Sequence, residues 1–578
     1  MKKKRIAASQ KRWATLILVT FLLMAFLVQA CTPAQGTPVT TEAAAATEAT
    51  GATGATEAPS QPEPTGAKGY PPPSPEPPEP TESGGEPTAY PAPSGGPTAP
   101  AGVLRIAVQP VVQKDPALIS SDPEVLLANS VYDYLVDVTT QNTIEPRLAS
   151  DWTVSEDGLM YVVTLNGGVT FHDGSPLTAE DVVWTFDRLR DPSKDLPTKD
   201  LYSNIDTIQA SGDLEVTFTL KQPNPFFIYD LSDNHALILK AGTTDADAAT
   251  NFNGTGPFKV VSFSEEDRAV LEANPDYFVP SAPRLAGLEI IFFNDQAAMV
   301  EALRGGQVDL VFLASATDLY NSLQGEPGIN LLEVSTNQFD LVRLRADRAP
   351  GNDPRVIQAL KLATDRQAIF DLVVQGRGSI GRDSPIGPLY SQYYSEETPL
   401  PERDVEAARQ LLVDAGYGDG LNIELHTPDT GNRPNLAVVL KSQWEEAGVN
   451  VDVKVEPESV YYGDNGWLEV DLGITGWGSR PYPQFYLDTM LVCNAVWNES
   501  HFCDAEFDQL AQTAGSTMDE AERIQAYKDI QRLLIERGPV IIPYFAAQFA
   551  AISDQFQGFD MKAFWGRSDL RTVSQSGQ

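Results

Sequence analysis

Four histidines, three cysteines and one glycine-rich turn around a tryptophan are where this 578-residue chain could place chemistry. His172, His235, His426 and His501 are scattered. No two have the four-residue spacing of a zinc pair on one helix face, and no HExxH occurs. His172 reads as a turn or core residue. Cys493 and Cys503 stand ten apart with His501 close by, yet no thiol quartet exists to complete a metal site. In an oxidising compartment those two cysteines can instead close a short disulfide loop. Gly376-Arg377-Gly378-Ser379-Ile380-Gly381 has the letters of a dinucleotide loop but follows a helical stretch rather than a strand, so it reads as a plain loop. There is no P-loop and no GxSxG elbow. The 79 acids leave the paired carboxylates of a glycosidase open on counting alone. The remaining feature is Gly473-Ile474-Thr475-Gly476-Trp477-Gly478-Ser479-Arg480-Pro481-Tyr482. Here a strand stops at glycines that present an indole, then an arginine and a proline turn. An arginine favours a carboxylate, a phosphate or sugar hydroxyls and repels an ammonium.

The elements that must position these groups alternate. Val103–Val108 reads as a strand, and 123–136 as a helix turning Val125, Leu126, Val131 and Leu135 inward. A strand over 159–165 is entered through the Asp157-Gly158 turn, and 214–220 alternates as a half-buried strand. Helices then recur with strands: 295–305 before 308–312, 354–375, 402–415 before 421–426, and 433–447 before 449–455. The last long helix, 518–537, stops at Gly538-Pro539 ahead of a strand VIIPYF. This is an α/β pattern of sheets covered by helices. The length demands two or more lobes, and 42% hydrophobic residues suffice for their cores.

The N-terminus sets the compartment. Lys2, Lys3, Lys4, Arg5, Lys11 and Arg12 precede an apolar run from Trp13 to Ala30. That is an export signal over 1–30, or an uncleaved anchor; both place the rest outside the cytoplasmic membrane. Val28-Gln29-Ala30-Cys31 resembles a bacterial lipobox, which implies a lipid on Cys31. Residues 31–101 are Thr-, Pro- and Ala-rich and cannot bury enough apolar area to offset chain entropy. They form a leash of about 45–50 Å root-mean-square span, longer where proline stiffens it. The net charge is -38, and the first thirty residues contribute six Lys and Arg and no acid. A chain this acidic should repel nucleic acid and anionic lipid surfaces.

One segment is more specific: Trp152-Thr153-Val154-Ser155-Glu156-Asp157-Gly158, then Phe171-His172-Asp173-Gly174-Ser175-Pro176-Leu177-Thr178-Ala179-Glu180-Asp181-Val182-Val183-Trp184. Physically it is strand, tight turn and capped helix, with Thr178 at the N-cap and Asp181 in the capping-box position. It resembles the signature of the family 5 extracellular solute-binding proteins, the periplasmic oligopeptide-, dipeptide- and nickel-binding group. The resemblance runs through Gly254-Thr255-Gly256-Pro257-Phe258, Glu272-Ala273-Asn274-Pro275-Asp276-Tyr277 and Gly306-Gln307-Val308-Asp309. It continues in Asp353-Pro354-Arg355-Val356 with Asp365-Arg366, and in Ala408-Arg409-Gln410-Leu411-Leu412 with Ala415-Gly416-Tyr417. Each motif is weak alone; their order and spacing over 102–578 make the likeness strong.

The resemblance implies a two-lobe periplasmic-binding-protein fold of type II, large, with an extra subdomain and a hinge. One lobe would comprise 102–342 plus 546–578, with a subdomain inserted at about 140–255, and the other 343–545. The chain would cross between lobes near 343 and 545 and close on a ligand without chemistry. Trp477 would line the cleft, with Gly476, Ser479, Arg480 and Tyr482 beside it. In the family's peptide binders an Asp three residues after that Trp pairs with the peptide's α-ammonium; here Arg480 stands there. A second departure is Leu344-Arg345, where the family has an aromatic residue and an Asn. Asn129 and Tyr132 match a region near the cleft, and the family's dipeptide binders carry a pair like Cys493 and Cys503. The implied function is the monomeric solute-binding subunit of an ABC importer. It would take an oligopeptide or similar polar solute to the permease subunits and their cytoplasmic ATPases, with no catalytic residue, metal or cofactor. An oligosaccharide ligand, a sensor for a membrane receptor and a secreted glycan hydrolase are the alternatives.

Overall fold

Leu104, Ile106, Ala107 and Val108 are buried because their strand, Val103–Val108, runs between two parallel neighbours, Gly287–Phe292 and Leu310–Ala314. A strand covered on both faces has little use for polar side chains. The structure is a computed structural model describing residues 99–577 except Asp195, and only the backbone of Asp464 and Asn465. The predicted signal over 1–30, Cys31 and nearly all of the linker lie outside the described residues.

One twelve-stranded sheet runs through the molecule. Its first half orders Phe258–Phe263, Arg268–Ala273, Gly287–Phe292, Val103–Val108 and Leu310–Ala314. Its second half orders Leu472–Trp477, Leu421–Pro428 and Val449–Glu456. Two long strands join the halves, Ile329–Leu344 and Tyr544–Ser553. Ile329–Ser335 pairs with Ala547–Ser553; after a register shift Phe339 pairs with Phe545, and Phe339–Leu344 then pairs with Leu472–Trp477. The irregular residues 336–338 are stitched locally: Thr336 Oγ1 donates to the Ala546 carbonyl at 2.6 Å and accepts the Gln338 N–H at 2.9 Å. A separate four-stranded antiparallel sheet orders Ala149–Val154, Met160–Leu165, Glu215–Leu220 and Ile205–Gly212. Its strand Glu215–Leu220 alternates buried and half-exposed side chains, as a sheet with one covered face requires.

The buried side chains gather in separate clusters. One cluster gathers Leu104, Val125, Tyr161, Phe186 and Leu288 with Trp565 and Val573 from the chain's end. A second gathers Val356, Leu425, Trp444 and Ile474. A third, rich in aromatics, joins Phe226 to Phe339, Trp477, Tyr482, Tyr486 and Phe545. The C-terminal segment is tied to the N-terminal core by charge: Asp137 accepts from Arg147 at 2.9 Å and Arg567 at 2.6 Å, with the Lys562 ammonium at 3.0 Å.

Six aspartates sit at helix starts. Asp295, Asp353, Asp365, Asp404, Asp504 and Asp519 each accept a backbone N–H at an N-cap, where the helix dipole favours negative charge. Thr178 and Asp181 form the expected capping box. The helix expected over 354–375 is two, Pro354–Ala363 and Arg366–Val373. Thr364 and Asp365 are extended, and the Asp365 carboxylate starts the second helix by accepting from Ala368 N–H at 2.9 Å. The early helix ends sooner than expected, at Val131, where Tyr132 turns extended. Gly538 ends the helix Glu520–Arg537 without a left-handed turn, since its φ is -66°. It is needed for close approach, because a Cβ there would meet the Leu534 carbonyl oxygen at 2.8 Å.

Candidate functional site: the seam where Gly476–Tyr482 meets Phe226–His235

The strand Leu472–Trp477 delivers the glycine-rich turn to the place where the halves of the sheet join, with Trp477 opposite Phe339. Gly476 admits a half-buried ion pair. A Cβ there would meet Arg433 Nη1 at 2.2 Å, and that guanidinium reaches Asp340 Oδ1 at 3.3 Å. Trp477 is 8% exposed. Its ring packs edge-on against Tyr486 and Trp497, and its indole N–H donates to Glu499 Oε1 at 3.3 Å. Burial raises the Glu499 carboxyl above its ordinary range, although Arg343, Thr475 and Trp477 all favour the charged form.

The next residues cross the seam. Ser479 Oγ accepts the Asn337 N–H at 3.2 Å. The Arg480 guanidinium lies 4.5 Å over the Phe485 ring, and its carbonyl accepts the Tyr390 hydroxyl at 2.6 Å. Asn142 donates to the Pro481 carbonyl at 2.5 Å. Tyr482 stacks on Phe226 with ring centroids 4.7 Å apart, and its hydroxyl donates to Asp230 Oδ1 at 2.7 Å.

The opposing segment carries the charge. Burial pushes the Asp230 carboxyl up to about 7, against the opposing hydrogen bonds from Tyr482 and Asn224; nearby Asp233 adds to the rise. Asp233 is half-buried, and His235 at 2.6 Å together with the Arg480 charge outweighs its desolvation and holds its carboxyl below the ordinary range. His235 is raised in turn, the Asp233 charge overcoming the cost of burying an imidazolium. The Arg480 charge thus acts on an acid of the other segment without pairing directly with it.

Other sequence-marked residues lie elsewhere. Arg345 donates to Asp347 at 2.7 and 2.8 Å and to Glu469 at 3.0 Å. It follows the end of the strand at Leu344, six residues beyond Phe339 and about 20 Å from the seam. Asn129 accepts from Arg147 at 2.8 Å and donates to the Ser568 carbonyl at 3.4 Å. Tyr132 is buried and borders a cavity of about 270 Å³ with Asp173, Leu239 and Lys240, away from the glycine-rich turn. A cavity of about 680 Å³ is lined by Arg348, Asn422, Glu424, His426, Lys441 and Asp471 on the outer strands of one lobe. Its charges pair locally, Arg348 with Asp471 at 2.5 Å and Lys441 with Glu445 at 3.3 Å, and nothing from the other lobe reaches it. Among the described residues no group of three or more His, Cys, Asp or Glu is placed to hold a metal. Cys493 and Cys503 are joined as a disulfide, with Cα atoms 4.4 Å apart. Among the described residues no helix is long and apolar enough to cross a membrane.

Sequence reasoning missed Phe226, Asp230 and Asp233, and named His235 only as one of four scattered histidines. They lie some 250 residues before the tryptophan turn, and no local pattern marks them.

A mixed sheet shared by two lobes, with the seam between them built from distant segments, defines a two-lobe binding protein. Residues 143–498 match the family of bacterial extracellular solute-binding proteins, family 5 (middle region), and the chain belongs to that family. The chain is 28% identical over 450 residues to di/tripeptide-binding protein 1 of Pseudomonas aeruginosa (strain UCBPP-PA14), covering 72% of this chain and 83% of that one. It is also 28% identical over 484 residues to heme-binding protein A of Haemophilus influenzae, covering 76% and 87%. The solved structure of HbpA2 from Haemophilus parasuis superposes with a TM-score of 0.73 at 24% identity, covering 82% of this chain and all of that one. The family is one of solute binders, not enzymes.

Proposed function

We propose that the chain captures a small polar solute, a peptide first, by closing its lobes at the seam, and delivers it to the permease of an ABC importer. The observation that carries this is the contact of Tyr482 with Asp230. Side chains 252 positions apart meet by hydrogen bond and, through Phe226, by stacking. In this reading the contact forms as the two sides come together, and a solute held between them is then shut in. Gly476, Trp477, Ser479, Arg480 and Tyr482 form one wall in this reading, and Phe226, Asp230, Asp233 and His235 the other. Arg345, Asn129 and Tyr132 hold their own surroundings instead. The lobes are 102–342 with 546–578, and 343–545. Cys31 carries the lipid, 31–101 is the tether, and the protein works as a monomer without catalysis, metal or cofactor.

The peptide reading draws on the di/tripeptide-binding relative. An oligosaccharide is the second reading, because Phe226, Tyr229 and Tyr482 gather their rings at the seam and sugars stack on such faces. Mass spectrometry of the solute released when the purified protein is denatured, followed by calorimetry with that solute, tests both. Released peptides support the first and released glycans the second. Turnover of the solute would overturn both.

A further inference from the structure

Where the two long strands cross between lobes, the side chains are polar and uncharged. Thr336, Asn337 and Gln338 occupy the irregular stretch of Ile329–Leu344, and Gln548 stands opposite Val334 on the other long strand. Ser315 follows Ala314, which pairs with Phe549, so it comes level with Gln548. Thr336 is satisfied, and Gln548 Nε2 donates to Gln338 Oε1 at 3.2 Å. Four polar atoms here are buried without a protein partner: Asn337 Oδ1, Asn337 Nδ2, Gln548 Oε1 and Ser315 Oγ. Asn337 is 0% exposed and Gln548 7%. Because both ends of the Asn337 carboxamide lack a partner, exchanging its O and N assignments changes nothing.

Buried carboxamides are normally hydrogen-bonded, and one left without a protein partner calls for a reason. The place supplies one. The Asn337 backbone is held against the glycine-rich turn: its N–H donates to Ser479 Oγ at 3.2 Å, and the Tyr486 hydroxyl reaches both the Asn337 carbonyl at 3.3 Å and the Gly478 carbonyl at 2.7 Å. The charges of the seam, Arg480, Asp233 and His235, belong to other segments.

Resting on the peptide-binding reading above, we propose that Asn337 and Gln548, with Ser315 beside them, form a neutral floor that reads uncharged peptide groups of the ligand. A carboxamide offers one donor face and one acceptor face, the complement of a peptide C=O and N–H. The floor thus selects for amide groups along the solute, and the charged seam residues are left to its ends.

Calorimetry on the purified chain with a defined set of free-terminus tripeptides, and with maltotriose and cellotriose, tests this alongside thermal melts without ligand. Asn337→Leu should weaken tripeptide binding about ten- to a hundredfold, the range for losing one or two buried hydrogen bonds. Its unliganded melting temperature should hold or rise, because an unpartnered buried polar group has gone. Gln548→Met should weaken binding in the same direction. Equal tripeptide affinity in both folded variants would overturn the floor and leave the binding reading standing. A steep fall in the unliganded melting temperature of Asn337→Leu would assign the residue to the fold and also overturn the proposal. Wild-type protein that binds a trisaccharide but no tripeptide would overturn the amide specificity. Binding of neither would remove the underlying reading and the floor with it.

Discussion

Tyr482 and Asp230 give the seam a pH dependence whose sign is fixed by the carboxyl. Its folded value, about 7, lies above the ordinary 3.8, so between those values the folded state holds a proton that the unfolded chain has lost. Stability contributed here is full at low pH and lost as pH rises through about 7. Melting temperatures from pH 5 to pH 8 should fall more steeply for wild type than for Asp230→Asn, which keeps the shape without the charge. Parallel slopes would remove Asp230 as the cause. At Trp477, replacement by Phe keeps the packing and strands the buried Glu499 acceptor, at a cost of about 1–3 kcal/mol. Replacement by Ala would cost about 3–5 kcal/mol through lost burial and the cavity left behind, so loss of binding in that variant must be read with a melt beside it. Arg480→Asp sets a second acid near Asp233 and should shift ligand preference toward a free amine. An unchanged ligand profile would place Arg480 outside the pocket.

At the scale of elements, the disulfide and the caps are the clearest levers. The loop closed by Cys493 and Cys503 spans ten residues, and removing it by a double Cys→Ser change should cost about 2–3 kcal/mol in the denaturation midpoint analysis. Unfolded, unreduced protein should show no reactive thiol at either position. Asp365→Ala deletes the cap that starts the helix Arg366–Val373 and should cost about 1 kcal/mol. Asp365→Ala leaves the seam's side chains in place, so ligand affinity should stay as it was; the disulfide loop carries Trp497 and Glu499, which touch Trp477, so its removal should weaken binding along with stability.

For the whole molecule, the two long strands are the shared spine, and 336–338 interrupt their pairing where the halves join. Domain closure needs a few residues that absorb backbone rotation, and an interrupted ladder supplies them at low cost. Small-angle scattering should show a smaller radius of gyration once the co-purifying solute is returned to stripped protein. An identical profile in both states would end the clamshell account. Solute at a hundredfold excess over Kd should add about 2.7 kcal/mol to stability, read as a rise in Tm.

The sequence by itself determined the elements and the family. Periodicity placed Val103–Val108, Glu215–Leu220 and the recurring helix–strand pairs, because burial repeats every two or every 3.6 residues and leaves a local trace. Capping chemistry is equally local, so Thr178 and Asp181 were legible; the break at Thr364-Asp365 was not, since apolar spacing runs on across it. Tertiary structure alone decided which residues face one another. Nothing near position 230 indicates that Asp230 will meet Tyr482, and nothing around Asn337 indicates a carboxamide buried without a protein partner. Those facts depend on contacts between distant segments, and a contact of that kind leaves no period in the chain. The same holds for Arg345 and Asn129: resemblance put them near the cleft, while their actual ion-pair and carbonyl partners were set only when the strands and the C-terminal segment packed.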